Sequence, residues 1–197
     1  MGFHIEDGTG SGKAAKVNTD NQLEVRSVTQ SSFERATSGG NSFNINTGLI
    51  TLTSAGESGI LYVKNTSSTK NIRVDGVVVI LGPSTGGATT DTTHIRFYKN
   101  PTTGTLISGA SAVSDESNRN FGSGITLEAD SYKGAEGNTI TDGTTHIQSL
   151  VSPGNRVFFS IDEVLQPGNS TAVSYEPPDS NTSMKCMAAL LCHTEPI

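Results

Sequence analysis

The glycine-rich stretch at residues 6–17, EDGTGSGKAAKV, has the residue types of a phosphate-binding loop. Such a loop needs a glycine, four residues, Gly-Lys and then a serine or threonine that binds magnesium, all between a strand and a helix. Counting back from Gly12-Lys13 places Asp7 where the first glycine belongs, and Ala14 replaces the hydroxyl. The stretch therefore does not predict a nucleotide site, and we interpret it as a glycine-rich arm.

The histidines are a second source of possible chemistry, and they lie in four different segments: His4, His94, His146 and His193. Residues 93–95 and 145–147 repeat a Thr-His-Ile trio, which predicts two strand starts with the isoleucine inward. Two imidazoles could converge on a metal, but no carboxylate motif supplies a third ligand. We therefore predict no metal site.

Cys186 and Cys192 are six residues apart. They would be about 20 Å apart in a strand and about 9 Å apart in a helix, beyond the reach of a disulfide in either case. Their spacing is also not that of a zinc site. The pattern predicts two buried, unpaired thiols.

Acidic residues offer candidate pairs for glycoside hydrolysis, which needs two carboxylates. These are Asp115 with Glu116, Asp162 with Glu163, and Glu128 with Asp130. The chain has no tryptophan to form a sugar platform, and it lacks the Gly-x-Ser-x-Gly motif of esterases. We therefore expect no enzymatic activity and no cofactor.

Composition favours strands and turns. Hydrophobic residues make up 33% of the 197 residues, charged residues only 16%, and 22 are glycine. Strong helix formers are scarce, which predicts an all-β protein with long polar loops. The net charge of -6 and the lack of a basic run indicate that nucleic acid is not a partner. No secretory signal or membrane span is visible, so we expect assembly in a cytoplasm and no membrane partner.

Several segments have the alternation or the apolar runs of β-strands. Residues 22–28 predict a first strand, and residues 43–52 predict two strands broken by a turn or bulge. Residues 59–65 and 71–82 predict a hairpin around a polar turn. Within it, the run at 77–81 predicts a core strand that is buried on both faces or at a subunit contact.

The second half of the chain continues the pattern after a long interruption. Residues 94–100 predict a strand, and residues 104–109 predict its hairpin partner. Residues 110–145 are rich in Gly, Ser, Asn and Asp and predict a long excursion with short elements inside it. Four further strands are predicted at 146–151, 156–165, 170–176 and 183–193.

These strands predict a jelly-roll-like antiparallel β-sandwich with an extended N-terminal arm. The arm and first strand would occupy residues 1–30, and one sandwich domain would occupy residues 31–197. The core is thin because apolar residues are sparse, so subunit contacts are expected to supply part of the burial.

The opening EDGTGSGKAAKVNTDNQLEVRSVTQ, residues 6–30, resembles the start of many tailed-bacteriophage structural proteins, and AALLCH at 188–193 is similar to their final strand. The resemblance implies a virion component: a small β-sandwich that decorates the head or builds the neck, tail or fibre as a symmetric oligomer. On this interpretation three apolar residues anchor the arm on a neighbour and three glycines let it bend. They are Leu23, Val25 and Val28, and Gly8, Gly10 and Gly12.

We therefore expect a non-enzymatic capsid decoration or cement protein, a trimer, whose partners are the major capsid protein or other virion proteins. A neck, tail or fibre protein of the same fold is the nearest alternative. An alternative from another class is a carbohydrate-binding β-sandwich, which would bind host glycans through the loops at 111–145 with Phe121 and Tyr132.

Overall fold

The computed structural model describes residues 31–85, 92–179 and 181–197. Its helices are α1 (Ser32–Ser38) and α2 (Thr105–Ser108). Its strands are β1 (Ser42–Asn46), β2 (Ile50–Leu52), β3 (Ser58–Asn65), β4 (Lys70–Leu81), β5 (Thr93–Lys99), β6 (Ser111–Ala112), β7 (Asp115–Asn118), β8 (Ala129–Lys133), β9 (Thr144–Val151), β10 (Arg156–Leu165), β11 (Ser170–Glu176) and β12 (Met184–Pro196). Neither helix of the described ranges has the length and apolar character to cross a bilayer.

The strands form two antiparallel sheets. Sheet 1 has the order β10-β4-β12-β1-β7, with β2 also paired to β12, and sheet 2 has the order β6-β8-β3-β11-β5-β9. The predicted arm at residues 1–30, with its strand at 22–28, lies outside the described residues. The boundary predicted at residue 30 therefore stays a prediction.

The strand order is that of a jelly roll. Four antiparallel pairs are nested along the chain: β1 with β12, β3 with β11, β4 with β10, and β5 with β9. The first and third pairs belong to sheet 1 and the other two to sheet 2. One long hairpin is thus rolled into two sheets, as in jelly-roll proteins. The predicted all-β, jelly-roll-like antiparallel sandwich is confirmed.

Inward side chains of both sheets form one core, which includes Phe43 of β1 and Phe97 of β5. Phe97 meets Phe159 of β10 edge to face, with ring centroids 5.0 Å apart. Cys186 and Cys192 are buried and unpaired, as predicted. Burial raises the pKa of the Cys186 thiol to about 12 and also raises that of Cys192, so both stay protonated and act as small apolar residues.

A β-bulge at Asp75 keeps the long strand β4 in register with the core. In the ladder with β12, Gly76 pairs with Leu191 and Val74 pairs with Cys192, so Asp75 has no partner of its own. The extra residue restores the inward direction of the apolar side chains on both sides of it. Of the run at 77–81, Val77, Val79 and Leu81 are buried, whereas residues 78 and 80 are half-buried on the outer face. The run is therefore not buried on both faces, and the alternative of a subunit contact stays a prediction.

Two predicted hairpins are wrong. β3 and β4 belong to different sheets, so the turn between them crosses the sandwich instead of joining neighbouring strands. The Asn65 side chain holds this crossing, because its amide donates to the carbonyls of Lys70 and Leu165 at 2.9 and 2.8 Å. Residues 104–109 contain helix α2 and form no return strand for β5, since β11 and β9 already occupy both edges of β5.

The long excursion has the short elements that its composition suggested. Strands β6, β7 and β8 lie within residues 110–145. β7 extends sheet 1 beside β1, and β8 extends sheet 2 beside β3. The segment between β5 and β9, residues 100–143, therefore adds β7 to sheet 1 and both β8 and β6 to sheet 2. We call this segment the insertion.

Candidate interaction surface

The insertion covers the outer face of sheet 2. Leu106 of α2 is buried there with Tyr62 and Ala172, and Tyr132 and Ile140 of the insertion pack against them. Tyr62 and Tyr132 stack with ring centroids 5.6 Å apart. These residues form a second apolar cluster, smaller than the core, on the outer face of sheet 2.

A glycine of β3 makes the close approach of α2 possible. A Cβ at Gly59 would lie 2.9 Å from a methyl group of Leu106, closer than such atoms approach in real structures. The absence of a side chain at this position therefore lets α2 pack directly on the sheet.

Two carboxylates hold the insertion in place: Asp142 joins its two ends to each other, and Glu136 joins it to Thr53 of the sandwich. Asp142 accepts hydrogen bonds from the backbone N–H groups of Thr102 and Thr103 at 2.8 and 2.9 Å, and from the Thr102 hydroxyl. Glu136 accepts from the backbone N–H and hydroxyl of Thr53 at 2.8 and 2.7 Å. Bonds from Thr102 and Thr103 lower the pKa of Asp142 to about 2, and bonds from Ser54 and Thr53 lower that of Glu136 to about 2.

In a polar network on sheet 2, the charged side chains pair with one another. The Arg96 guanidinium lies 3.0 Å from a Glu57 oxygen and 2.6 Å from a Glu176 oxygen. Tyr98 also donates to Glu57 at 2.6 Å, and Ser174 donates to the same carboxylate. Burial alone would raise the pKa of Glu57, but these hydrogen bonds and the Arg96 charge bring it below its usual value. The network makes an internal contact of the fold, not an open binding site.

The outer face of sheet 1 differs, because apolar side chains of three adjacent strands stand side by side on it. Val78 of β4 pairs with Phe158 of β10 on one side and with Ala189 of β12 on the other, and the neighbouring Ile80 pairs with Met187. The Phe158 side chain is 55% exposed, although it is large and apolar. We call these residues the outer patch: Val78, Ile80, Phe158, Met187, Ala189 and Leu191.

Helix α1 covers a different end of this face. Phe33 of α1 meets the His193 ring edge to face, with centroids 6.3 Å apart, and the Arg119 guanidinium lies 4.4 Å from the Phe33 ring centre. His193 Nδ1 is 2.9 Å from a carboxylate oxygen of Asp75 at the bulge. The bulge and the helix thus stabilise the same end of the sheet, and neither belongs to the outer patch.

A loop after β7 presents a second exposed aromatic residue. We call residues 119–127 the Phe121 loop, because Phe121 is 98% exposed in it. Asn118 and Asn120 hold the loop: the Asn118 amide donates to the Ile125 carbonyl at 3.0 Å, and the Asn120 side chain accepts from the Gly122 N–H at 3.2 Å. The Asn120 amide also donates to the Ser38 carbonyl at 3.1 Å. The backbone is therefore fixed while the phenyl ring projects into solvent.

The histidines of the Thr-His-Ile trios do not converge. His94 of β5 is within hydrogen-bond distance of the Gln148 side chain, at 3.2 Å. His146 of β9 lies at a register shift and pairs with the Glu163 carboxylate of β10, which joins the edges of the two sheets. In the described part of the chain, no group of three His, Cys, Asp or Glu residues could hold a metal ion.

One candidate acidic pair, Asp162 with Glu163, is also separated by its contacts. Asp162 lies 2.9 Å from the Arg73 guanidinium, whereas Glu163 contacts His146. The two carboxylates therefore have different partners and do not face a shared substrate site. The two aromatic residues suggested for glycan binding belong to elements of different sheets. Tyr132 stacks on Tyr62 in sheet 2, whereas Phe121 follows β7 of sheet 1.

The sequence analysis identified only part of the outer patch. The apolar run at 77–81 predicted a subunit contact as one alternative, and its half-buried members do belong to the patch. Phe158, Met187 and Leu191 were not singled out. Their signal was available, because FF at 158–159 and MAALL at 187–191 are apolar without alternation, which indicates apolar residues on both faces of a strand.

No family model matches the chain, and no curated protein matches it. Among solved structures, it is similar to a chain of Desmodium yellow mottle tymovirus, with 10% identity, 91% of this chain and 97% of that chain covered, and a TM-score of 0.26. It is also similar to a chain of empty-head Turnip yellow mosaic virus, with 12% identity, 93% and 92% covered, and a TM-score of 0.19. A third is the infectious bursal disease virus VP2 subviral particle, with 14% identity, 80% and 40% covered, and a TM-score of 0.14. At these TM-scores the similarities carry no argument, so the jelly-roll assignment rests on the strand order.

Proposed function

We propose that this protein is a non-enzymatic structural component of a tailed-phage virion, a capsid decoration or cement protein that docks on the head. The observation that carries the proposal is the outer patch, since an apolar cluster on the outer face of a folded domain, with Phe158 exposed at its edge, is typical of an interaction site. The virion assignment draws on the resemblance of residues 6–30 to phage structural proteins. The jelly roll is compatible with this role but hosts other functions as well.

The N-terminal arm is the second part of the proposal. Residues 22–28 of one copy would add as a strand to a sheet edge of a neighbour, with Leu23, Val25 and Val28 as anchors. Strand β10 offers such an edge, because among the described strands it pairs only with β4. Removing residues 1–30, which contain the three anchors, should lower the heat resistance of the assembled particle, and equal heat resistance of the truncated and full-length chains would contradict the role of the arm.

The test of the function is quantitative mass spectrometry of gradient-purified particles, with the major capsid protein as the internal reference. Copy numbers in the hundreds are the expected result for a head decoration protein. A count in the low dozens would move the protein to the neck, tail or fibres. Absence from particles would overturn the virion assignment.

A further inference from the structure

We propose that copies of this chain associate head to tail, with the Phe121 loop of one copy packed on the outer patch of the next. This inference rests on the proposed structural role and names the partner of the outer patch as a second copy of the chain. It is distinct from the arm, because it uses only residues of the folded domain.

The positions of the two apolar features allow a contact between copies but not within one copy. Sheet 1 runs from β10 at one edge to β7 at the other. Phe158 lies on β10, whereas Phe121 follows β7, so the two features are at opposite edges of one sheet. One copy cannot bring them together, but a second copy can. A contact between two different surfaces of identical subunits repeats around an axis, and it closes into a ring if the rotation allows.

Hydrogen bonds at its base and within it hold the Phe121 loop in a fixed shape. Besides the bonds within the loop, the Asn118 amide donates to the Gly40 carbonyl at 2.7 Å, which joins the base of the loop to the segment after α1. The Ile125 N–H donates to the Ser123 hydroxyl at 3.1 Å. The loop is therefore already ordered in the single subunit, and binding does not have to supply that ordering cost. A phenylalanine presented in this way can bury a large apolar area on contact.

The exposed charges beside the two surfaces are of opposite sign. Asp115 and Glu116 are exposed on β7, at the edge that carries the Phe121 loop. Arg156 is exposed on β10 opposite Ile80, and Lys185 is exposed on β12 two residues before Met187. Arg119 also lies at the start of the loop, but its guanidinium packs on the Phe33 ring of the same copy. The two exposed carboxylates of β7 would thus meet a basic margin of the outer patch, which favours this orientation over one that pairs like edges.

The experiment compares the full-length chain with Phe121→Ser and Phe158→Ser by sedimentation velocity over a range of protein concentrations. We expect the native chain to form oligomers in a concentration-dependent manner. Each substitution should weaken association at least about 10-fold, since interface aromatics dominate binding energies. Leu49→Ser is the matched control, because Leu49 is 65% exposed but belongs to neither surface, and it should leave association unchanged.

A mixture of the two variants tests the head-to-tail geometry. Phe121→Ser retains an intact outer patch and Phe158→Ser retains an intact Phe121 loop, so mixing them should restore one contact and produce a heterodimer. A symmetric interface between two like patches would give no such rescue and would overturn the proposal. A native chain that stays monomeric at every concentration, or that is unaffected by both substitutions, would overturn it too. The copy number in particles is measured separately, so failure of this inference and failure of the proposed function can be distinguished.

Discussion

The outer faces of the two sheets differ in how far the rest of the chain covers them. On sheet 2, the insertion buries Leu106 and Tyr62, and an internal charge network surrounds Arg96 on the same sheet. On sheet 1, α1 covers the end at His193, and the outer patch lies beyond it with Phe158 exposed. The chain therefore covers the outer face of sheet 2 with its own residues and leaves apolar side chains exposed or half-buried on the outer face of sheet 1.

Because of this difference, we expect one outer face to contribute to the stability of the subunit and the other to its association with partners. A jelly roll needs only its two inner faces to form a core, so an outer face can be either covered or kept for a partner. Residues that cover sheet 2 should contribute to the folding free energy of the single subunit. Residues of the outer patch should contribute little to folding and much to association.

The largest expected effect is on the covered face. Leu106→Ala removes a side chain that is 1% exposed and should lower the free energy of unfolding by about 2–5 kcal/mol. Leu191→Ala in the outer patch should cost clearly less, because that side chain is only half-buried. Urea unfolding of both variants measures the difference. Equal losses would show that the two faces do not differ as described.

The charge network should give the next largest effect. Arg96→Met leaves the carboxylates of Glu57 and Glu176 close together without their cation, which should lower the free energy of unfolding by roughly 1–3 kcal/mol. Asp162→Asn is the control, because it removes an ion pair with Arg73 whose carboxylate side chain is 79% exposed, and it should change stability little. A larger loss for the control than for Arg96→Met would contradict the account.

The anchors of the insertion predict a dependence on acid. In the unfolded chain Asp and Glu titrate near about 4, whereas Asp142 and Glu136 have folded pKa values lowered to about 2. Their stabilisation is therefore complete above about pH 4 and is lost as the pH falls toward 2. Melting temperatures of the native chain and of an Asp142→Asn, Glu136→Gln double variant should converge over this range. A constant difference between the two would rule out the carboxylates as anchors.

The smallest expected effect on folding is at Phe158. In the background of Phe121→Ser, which is expected to be monomeric, Phe158→Ser should change the free energy of unfolding by less than about 1 kcal/mol. The variant should also bind less of a dye that reports apolar surface. A large loss of stability would place Phe158 in the structural core and remove it from the interaction surface.

Much of the fold could be predicted from local patterns. The alternation in β1 and β5 and the turn residues before β10 and β11 were sufficient to predict strands and an all-β sandwich. Sheet membership was not predictable in this way. The crossing from β3 to β4 has the same polar turn residues as a hairpin, and only long-range pairing decides between them. α2 was missed because Gly104-Thr-Leu-Ile reads as a strand until both edges of β5 are occupied.

The sequence predicted only part of the candidate surface. The apolar run in β4 indicated a subunit contact. The bulge at Asp75 decides which side chains of β4 point outward, and the hydrophobic pattern of the sequence does not reveal this bulge. Phe158 and Met187 meet Val78 and Ile80 only through pairing of strands distant in the chain. The exposure of Phe121 depends on hydrogen bonds from Asn118 and Asn120, which composition alone could not assign.

The central claim is that the outer patch is covered in the assembled protein while the rest of the sandwich is unchanged. Met187 and Met184 on β12 provide the most direct measurement, because Met187 belongs to the outer patch and Met184 is buried in the core. Mild oxidation followed by peptide mass spectrometry would compare the assembled native chain with monomeric Phe121→Ser. We predict that Met187 is oxidised much more slowly in the assembly and that Met184 is protected in both. Equal oxidation of Met187 in the two forms would contradict the account.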